Sequence, residues 1–119
     1  MDINAMVEKI KSRPDYPKAG MILCHNGVVR QTSRDGRRVR GLRVAVDRQE
    51  LEKVIRTYKE RPGILDVMVQ IDADRDLAVG DDVMLLVVAG DIRENVIETL
   101  RDALNAIKSA VTHKTEFFV

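Results

Sequence analysis

The chain has 119 residues, enough for one domain of ordinary size and too few for two. Charged residues make up 33% and hydrophobic residues 45% of the chain, a balance typical of a folded globular protein rather than a disordered one. The net charge is only +1 and aromatic residues make up 3%, so a nucleic-acid-binding domain is not expected.

Hydrophobic periodicity predicts three helices and four strands. Apolar residues at helical spacing indicate the helices, and alternating or continuous apolar runs indicate the strands. In chain order these are a helix over 2–13 capped by Asp2, strands over 21–29 and 39–46, a helix between Asp47 and Arg61-Pro62-Gly63, strands over 64–72 and 82–89, and a helix over 91–111 that begins at Asp91.

The order of these elements favours an α+β fold over a doubly wound parallel sheet. The first two strands are expected to pair as a hairpin whose long tip, residues 31–38, is mobile. The strand over 82–89 is apolar throughout and is expected to lie at the centre of its sheet. We expect a single domain over residues 1–119.

Arginine is concentrated between residues 30 and 48, where seven arginines face only two aspartates. Guanidinium groups bind phosphate and carboxylate oxygens in pairs, so the segment predicts an anion-binding site. A solvated strand edge that discourages aggregation is the alternative interpretation. Arg30 is the best single candidate for anion binding, because it directly follows an apolar strand.

Lys108 and Lys114 flank the end of the last predicted helix. A lysine becomes an acid, a base or a nucleophile only when burial or a cationic neighbour lowers its pKa. The alternative is that these lysines interact favourably with the C-terminal end of the helix dipole. The residues alone leave both interpretations open.

No metal or cofactor is predicted. A single cysteine excludes an internal disulfide and a multi-cysteine zinc site, and no metal-ligand spacing occurs. Cys24 lies in an apolar strand and is interpreted as an inert, packed thiol. The neighbouring His25 is interpreted as a core histidine with its hydrogen bonds satisfied.

No membrane segment is predicted either. The N-terminal segment carries charges throughout and does not resemble a signal peptide. No apolar run reaches the roughly 18 residues that a transmembrane helix needs. A reducing cytoplasm is therefore the expected location.

Several short segments carry a family resemblance. Gly27-Val28-Val29-Arg30 is similar to a Gly-x-Val-Arg strand end, and Leu77-x-x-Gly80-Asp81 is similar to a turn before a central strand. Arg93 and Lys108 fall where a family arginine opens a long helix and a family lysine ends it. Lys114-x-Glu116 is similar to a terminal Lys-x-Glu. In this order, from about residue 20 to residue 116, the segments resemble the catalytic large subunit of molybdopterin synthase.

The resemblance implies an α/β-hammerhead-like fold, with a mixed antiparallel sheet and a long C-terminal helix, and a homodimer. It implies a ubiquitin-like sulfur-carrier small subunit with a thiocarboxylated C-terminus as partner. The implied reaction transfers sulfur to cyclic pyranopterin monophosphate (precursor Z) and forms the molybdopterin dithiolene.

The resemblance also assigns roles to individual residues. Arg30 and Arg93 would hold the substrate phosphate or the partner's tail. Arg34, which comes from the arginine-rich segment and not from the resemblance, is added to this anion-binding set. Lys108 would act in acid–base steps or carry a covalent link. Lys114 would bind or orient the pterin intermediate.

The chain departs from the family pattern at several places. Ile92 stands where the family has a histidine, and His25 where an aromatic residue is common. Lys108 and Lys114 are six residues apart rather than seven. A second function therefore stays open, that of a catalytically inactive paralogue. Such a paralogue would be a dimeric module that binds a ubiquitin-like carrier or a pterin-type anion.

Overall fold

The computed structural model describes residues 1–119, which form three α-helices and six β-strands. In chain order they are α1 (Ile3–Lys11), β1 (Met21–Val28), β2 (Val39–Val46), α2 (Arg48–Lys59), β3 (Ile64–Ile71), β4 (Leu77–Ala78), β5 (Asp82–Gly90), α3 (Arg93–Ala106) and β6 (Thr112–Phe118). A 3₁₀ turn, Tyr16–Lys18, follows α1, and a π-helical turn, Ile107–Val111, joins α3 to β6. No helix combines the length and the apolar character that crossing a bilayer requires.

The strands form two antiparallel sheets. The first sheet has the order β1-β5-β3, and the second has the order β4-β2-β6. Strand β5 therefore lies at the centre of the first sheet, as its apolar sequence predicts. The predicted α+β class, with antiparallel strands and a long helix near the C-terminus, is confirmed.

Strand β5 is apolar along its length because helices cover both faces of the first sheet. Leu86 and Val88 are buried against α2 and α3, whereas Leu85 and Val87 are buried against Met6 and its neighbours on α1. Burying one such side chain stabilises the fold by roughly 1.5–3 kcal/mol. The strand therefore anchors the helices on each side of it.

The second sheet packs on the first through a smaller apolar cluster. Its buried members are Val29, Leu42, Val44 and Leu77. Two partly buried residues at the end of the first sheet, Ile71 and Val83, pack against this cluster. The junction between the sheets is therefore apolar on its inner side, and it brings the ends of β1, β2 and β6 close together.

The predicted hairpin between the first two strands is wrong. Strand β1 pairs with β5, and β2 pairs with β4 and β6, so residues 29–38 carry the chain from one sheet to the other. The partner of β2 is the C-terminal tail, which the local sequence pattern does not identify as a strand. Such pairing depends on residues about 70 positions apart, and hydrophobic periodicity reports only local structure.

The helix ends follow capping chemistry, with small shifts from the sequence prediction. The Asp2 carboxylate accepts a hydrogen bond from the backbone N–H of Asn4 at 3.0 Å, so this predicted cap is confirmed. Asp47 accepts from the N–H of Glu50 at 3.1 Å in the same way. The third helix has Ile92 at its cap position instead of Asp91, whose carboxylate accepts from the N–H of Ile92.

The last helix is shorter than its sequence predicts. Apolar residues recur at helical spacing as far as residue 111, but the α-helix ends at Ala106 and its final turn is π-helical. Ile107 and Val111, at the two ends of this turn, are fully buried. The buried face continues from the α-helix into the wider π-helical turn. The spacing of apolar residues therefore does not distinguish an α-helix from a π-helix.

Candidate functional site

A cavity of about 610 Å³ opens where the two sheets meet. Its volume lies within the range of pockets that hold small molecules. Its floor is apolar and comes from β2, β3 and β5, including Leu42, Ile71 and Met84. Its polar wall comes from β1, the loop that follows it, the π-helical turn and β6.

Arg30 and Arg34 reach the cavity from the loop after β1. The Arg30 Nε–H donates to the carbonyl of Thr32 at 2.9 Å, which leaves the terminal nitrogens of the guanidinium free to bind an anion. The loop closes on itself, because the N–H of Ser33 donates to the carbonyl of Arg37 at 2.9 Å and Gly36 adopts a φ of 89°. Arg34 is therefore carried by a tight turn.

Lys108 reaches the cavity from the π-helical turn. The buried Ile107 and Val111 anchor this turn, and the Val111 carbonyl accepts a hydrogen bond from the N–H of Asp47 at 2.8 Å. Isolated π-helical turns are frequent at functional sites. The amine of Lys108 therefore extends from a backbone that is fixed to the start of α2.

Lys114 lies on β6, where alternation directs Thr112, Lys114 and Glu116 to the cavity side. The Lys114 Nζ lies 3.9 Å from the Glu116 carboxylate. Glu116 is the only acidic side chain among the residues that line the cavity. The four cations Arg30, Arg34, Lys108 and Lys114 therefore face a single carboxylate, and the cavity favours an anionic ligand.

His25 lines the same cavity, so its interpretation as a core histidine is wrong. The ring is half-buried, and its Nε2 lies on the same side of β1 as Gly27, where a Cβ would be 3.5 Å away. Burial lowers the pKa of His25 below its ordinary value of 6.5, and the positive charge of Lys108 lowers it further. His25 sits at the sheet edge next to the open cavity, which an apolar sequence context does not reveal.

Cys24 is exposed, so its interpretation as a packed thiol is also wrong. Cys24 pairs with Val87, on the face of the sheet that α1 covers. Strand β1 is an edge strand, however, and Ile22 is its only residue that packs against the buried residues of α1. No group of three or more His, Cys, Asp or Glu side chains is placed to hold a metal ion.

Arg93, by contrast, does not line the cavity. Its side chain is 79% exposed at the start of α3, and its Nε lies 3.2 Å from the carboxylate of Glu94. The structure therefore brings together four of the five predicted site residues and leaves the fifth on a separate surface.

Three other arginines of the 30–48 segment are held by neighbours. The guanidinium of Arg37 lies 3.6 Å from the centre of the Phe118 ring, and that of Arg40 lies 5.4 Å from the centre of the Phe117 ring. Arg43 lies 3.4 Å from the carboxylate of Asp76. The predicted anion site is therefore confined to the start of this segment, next to β1.

Two residues of the cavity, His25 and Glu116, are not identified by the sequence as chemical participants. Each has the same signal, a strand position two residues from another cavity residue. His25 precedes Gly27 on β1, and Glu116 follows Lys114 on β6. This alternation becomes informative only when the strand face that meets the cavity is known.

Solved structures share this fold over the whole chain. Molybdopterin synthase from Staphylococcus aureus matches with a TM-score of 0.80 and 18% identity, over 100% of this chain and 86% of that one. Molybdopterin cofactor biosynthesis protein E from Burkholderia multivorans ATCC 17616 matches with a TM-score of 0.77 and 25% identity, over 100% and 84% of the two chains. A chain in a complex of subunits 1 and 2 of the molybdopterin-converting factor from Helicobacter pylori 26695 matches with a TM-score of 0.72 and 17% identity, over 100% and 84%.

Comparison of the sequence with protein-family models identifies the family. No curated protein matches the sequence. The family model described as MoaE protein, however, matches residues 1–110, which is nearly the whole chain. The chain therefore belongs to the MoaE protein family, the large subunits of molybdopterin synthase, and with them to molybdenum cofactor biosynthesis.

Proposed function

We propose that this chain is the catalytic subunit of a molybdopterin synthase. It takes sulfur from the thiocarboxylated C-terminus of a ubiquitin-like small subunit and transfers it to cyclic pyranopterin monophosphate, which forms the molybdopterin dithiolene. The observation that carries the proposal is the cavity in which Arg30, Arg34, Lys108 and Lys114 face one carboxylate.

The arginines suit the charge of both reactants. Cyclic pyranopterin monophosphate carries a phosphate, and the carrier tail ends in an anionic thiocarboxylate. Guanidinium groups bind such oxygens in pairs, and Arg30 has its terminal nitrogens free. Arg34, on the adjacent turn, lines the same cavity and adds a second guanidinium group.

The lysines suit the transfer steps. Lys108 stands on an anchored turn, so its amine is held at a defined place in the cavity. In our proposal its ammonium acts as the acid, or its amine carries a transient link to the carrier tail. Lys114 lines the same cavity from β6 and, in our proposal, orients the pterin. Fixed placement of this kind matters, because a 1 Å error costs about a hundredfold in rate.

The partners in this proposal are a small subunit and a second copy of the chain. The Helicobacter pylori complex of subunits 1 and 2 supports a small-subunit partner. Arg93 does not reach the cavity of its own chain, so its anion-binding role requires the cavity of a second copy. A homodimer supplies that copy.

One observation favours the second candidate, a module that binds the carrier or a pterin-type anion without catalysis. Ile92, at the start of α3, is 54% exposed, and its side chain can neither donate nor accept a proton. A binding module keeps the cationic cavity but needs no acid–base group at this position.

Reconstitution tests the proposal. The purified chain is mixed with thiocarboxylated small subunit and cyclic pyranopterin monophosphate, and molybdopterin is measured as its oxidised fluorescent derivative. We expect product from the wild type and a loss of roughly 10²-fold or more in Lys108→Ala, the usual range for removing an acid–base group. Lys53→Ala is the matched control, because Lys53 is exposed on α2 and pairs only with Glu50.

Binding of the small subunit separates the remaining outcomes. No product from the wild type, with the small subunit bound at about micromolar Kd, would establish the binding module instead. No product and no binding would contradict both candidates. Equal turnover by Lys108→Ala and wild type would remove the lysine from the mechanism.

A further inference from the structure

His25 is the one histidine of the cavity. Strand β1 places its ring on the cavity side with Gly27, where a Cβ would lie 3.5 Å from the His25 Nε2. The other histidine of the chain, His113, lies on the opposite face of β6 and is exposed. The cavity therefore contains a single imidazole.

The His25 ring has no hydrogen-bond partner within the protein; only burial and the charge of Lys108 perturb its pKa. Both nitrogens of His25 are therefore available to a ligand or to water in the cavity.

The charges around the ring are almost all positive. Strands β2, β3 and β5 contribute only apolar side chains to the cavity. Burial, and after it the charge of Lys108, disfavour the imidazolium and hold the pKa of His25 below 6.5. The charged groups that face it are Lys108 from the π-helical turn, Lys114 and Glu116 from β6, and Arg30 and Arg34 from the loop after β1.

Sulfur transfer from a thiocarboxylate creates a need for such a group. When the sulfur has bonded to the acceptor, an acyl–sulfur bond joins the carrier to the product, and water must cleave it. The water oxygen bonds to the acyl carbon, the carbon–sulfur bond breaks, and sulfur leaves with the electron pair. The carrier becomes a carboxylate, the product a thiolate, and the attacking water loses two protons.

We propose that His25 is the proton acceptor for this cleavage: its imidazole takes the first proton from the attacking water. The inference rests on the proposed function. The second proton comes off the newly formed carboxylic acid and passes to solvent, and the imidazolium then returns its own proton to the thiolate or to solvent.

The other side chains of the cavity are poorer proton acceptors. Lysine and arginine side chains ordinarily hold their protons at neutral pH. The carboxylate of Glu116 lies 3.9 Å from the Lys114 ammonium, so it is paired with a cation rather than free to approach a ligand. His25 thus complements Lys108: the lysine supplies positive charge for the leaving sulfur, and the histidine accepts the proton.

Single-turnover measurements test the inference. Wild type, His25→Gln and His25→Ala are each mixed with thiocarboxylated small subunit and pterin substrate in ¹⁸O-labelled water. Mass spectrometry follows label in the carrier carboxylate, and fluorescence follows molybdopterin. We expect label in the wild-type carboxylate, and a rate about 10²–10⁴-fold lower in both variants. His113→Gln, on the exposed face of β6, is the matched control and should keep the wild-type rate.

The pH profile separates a proton acceptor from a structural residue. For the wild type, kcat/KM should fall as the pH drops through the His25 pKa, which lies below 6.5, and His25→Gln should lack this acidic limb. Added imidazole should restore part of the activity of His25→Ala, because the cavity is large enough to admit it.

Each other result overturns the inference. Turnover by His25→Gln at the wild-type rate would show that His25 is not the proton acceptor, and it would leave the proposed function intact. A slow His25→Ala that keeps the acidic limb and gains nothing from imidazole would make the residue structural. A wild type that binds the small subunit but forms no product would end the proposed function, and the inference with it.

Discussion

The cavity wall and the exposed face of α3 are both rich in cations, but they differ in how those cations are paired. On α3, the Arg93 Nε lies 3.2 Å from Glu94, and Arg101 lies 3.4 Å from Asp102 and 4.0 Å from Glu98. In the cavity, four cations face one carboxylate. The number of arginines on a surface therefore does not identify an anion site, whereas the absence of neighbouring carboxylates does.

The same contrast divides the arginine-rich segment itself. Arg37 and Arg40 lie against the phenylalanine rings of β6, and Arg43 pairs with Asp76. Arg30 and Arg34, a few residues earlier, have no acidic or aromatic partner and line the cavity. One run of sequence thus contains arginines that stabilise the second sheet and arginines that are free to bind a ligand.

Among the substitutions that compare the two surfaces, removal of a free arginine should change anion binding most. Arg30→Ala should weaken the binding of inorganic pyrophosphate, used as a probe anion, by about 10–100-fold. This factor corresponds to the roughly 1.5–3 kcal/mol of a hydrogen bond to a charged group. Isothermal titration calorimetry measures the affinity of the wild type and of Arg30→Ala for pyrophosphate.

Arg101→Ala is the matched control for this comparison. Arg101 is exposed on α3 and already has two acidic neighbours, so its removal should leave the pyrophosphate affinity unchanged. Equal losses in Arg30→Ala and Arg101→Ala would show that the probe responds to net charge rather than to the cavity.

A smaller effect is expected where an arginine is held by a ring. Phe118→Ala removes the ring that Arg37 contacts at 3.6 Å and should lower the free energy of unfolding by about 1–2 kcal/mol. Pyrophosphate binding should change little, because Arg37 does not line the cavity. Urea unfolding gives the stability, and Val79→Ala, a loss of exposed apolar surface on another loop, is the control.

A drop in pyrophosphate affinity as large as that of Arg30→Ala would contradict this division of the segment. It would mean that the C-terminal strand holds the Arg34 turn in place, since the Val119 N–H donates to the Arg38 carbonyl. The arginines of the segment would then differ in their position along the loop rather than in whether a neighbouring side chain pairs with them.

The fold could be predicted from the sequence wherever local chemistry decides it. The Asp2 and Asp47 caps and the central place of β5 follow from side-chain oxygens and apolar runs that act over a few residues. The pairing of β2 with β6 could not be predicted in this way. It depends on which of several apolar segments meets another in three dimensions, a choice that the local pattern leaves open.

The candidate site divides along the same line. Arg30, Lys108 and Lys114 were found from sequence as residues at element ends and from motif resemblance, and the structure brings them to one cavity. His25 was misinterpreted because a histidine in an apolar strand looks the same whether the strand is central or at the sheet edge. Arg93 was assigned to the anion site by the family resemblance, and a motif match does not report whether two residues of one chain reach the same cavity.

The smallest expected effect concerns the paired charges of the α3 face. A hydrogen bond from Arg61 holds the pKa of Asp102 below its ordinary value of 3.8, and Arg101 contributes in the same direction. A lowered pKa means that the ionised carboxylate stabilises the folded chain above about pH 4 and that this contribution is lost as the pH falls through the folded-state pKa. Asp102→Asn should therefore have a slightly lower Tm than the wild type at neutral pH, with the difference shrinking in acid.

Thermal unfolding from about pH 3 to pH 7 measures this difference. Pyrophosphate binding should be the same in both proteins, because Asp102 lies outside the cavity. A Tm difference that stays constant across the pH range would show that Asp102 acts through packing rather than charge, and the contrast between the two surfaces would lose its electrostatic basis on the α3 side. If the Tm difference disappears in acid while pyrophosphate binding is unaffected, the paired charges of α3 stabilise the fold and the unpaired charges of the cavity serve ligand binding.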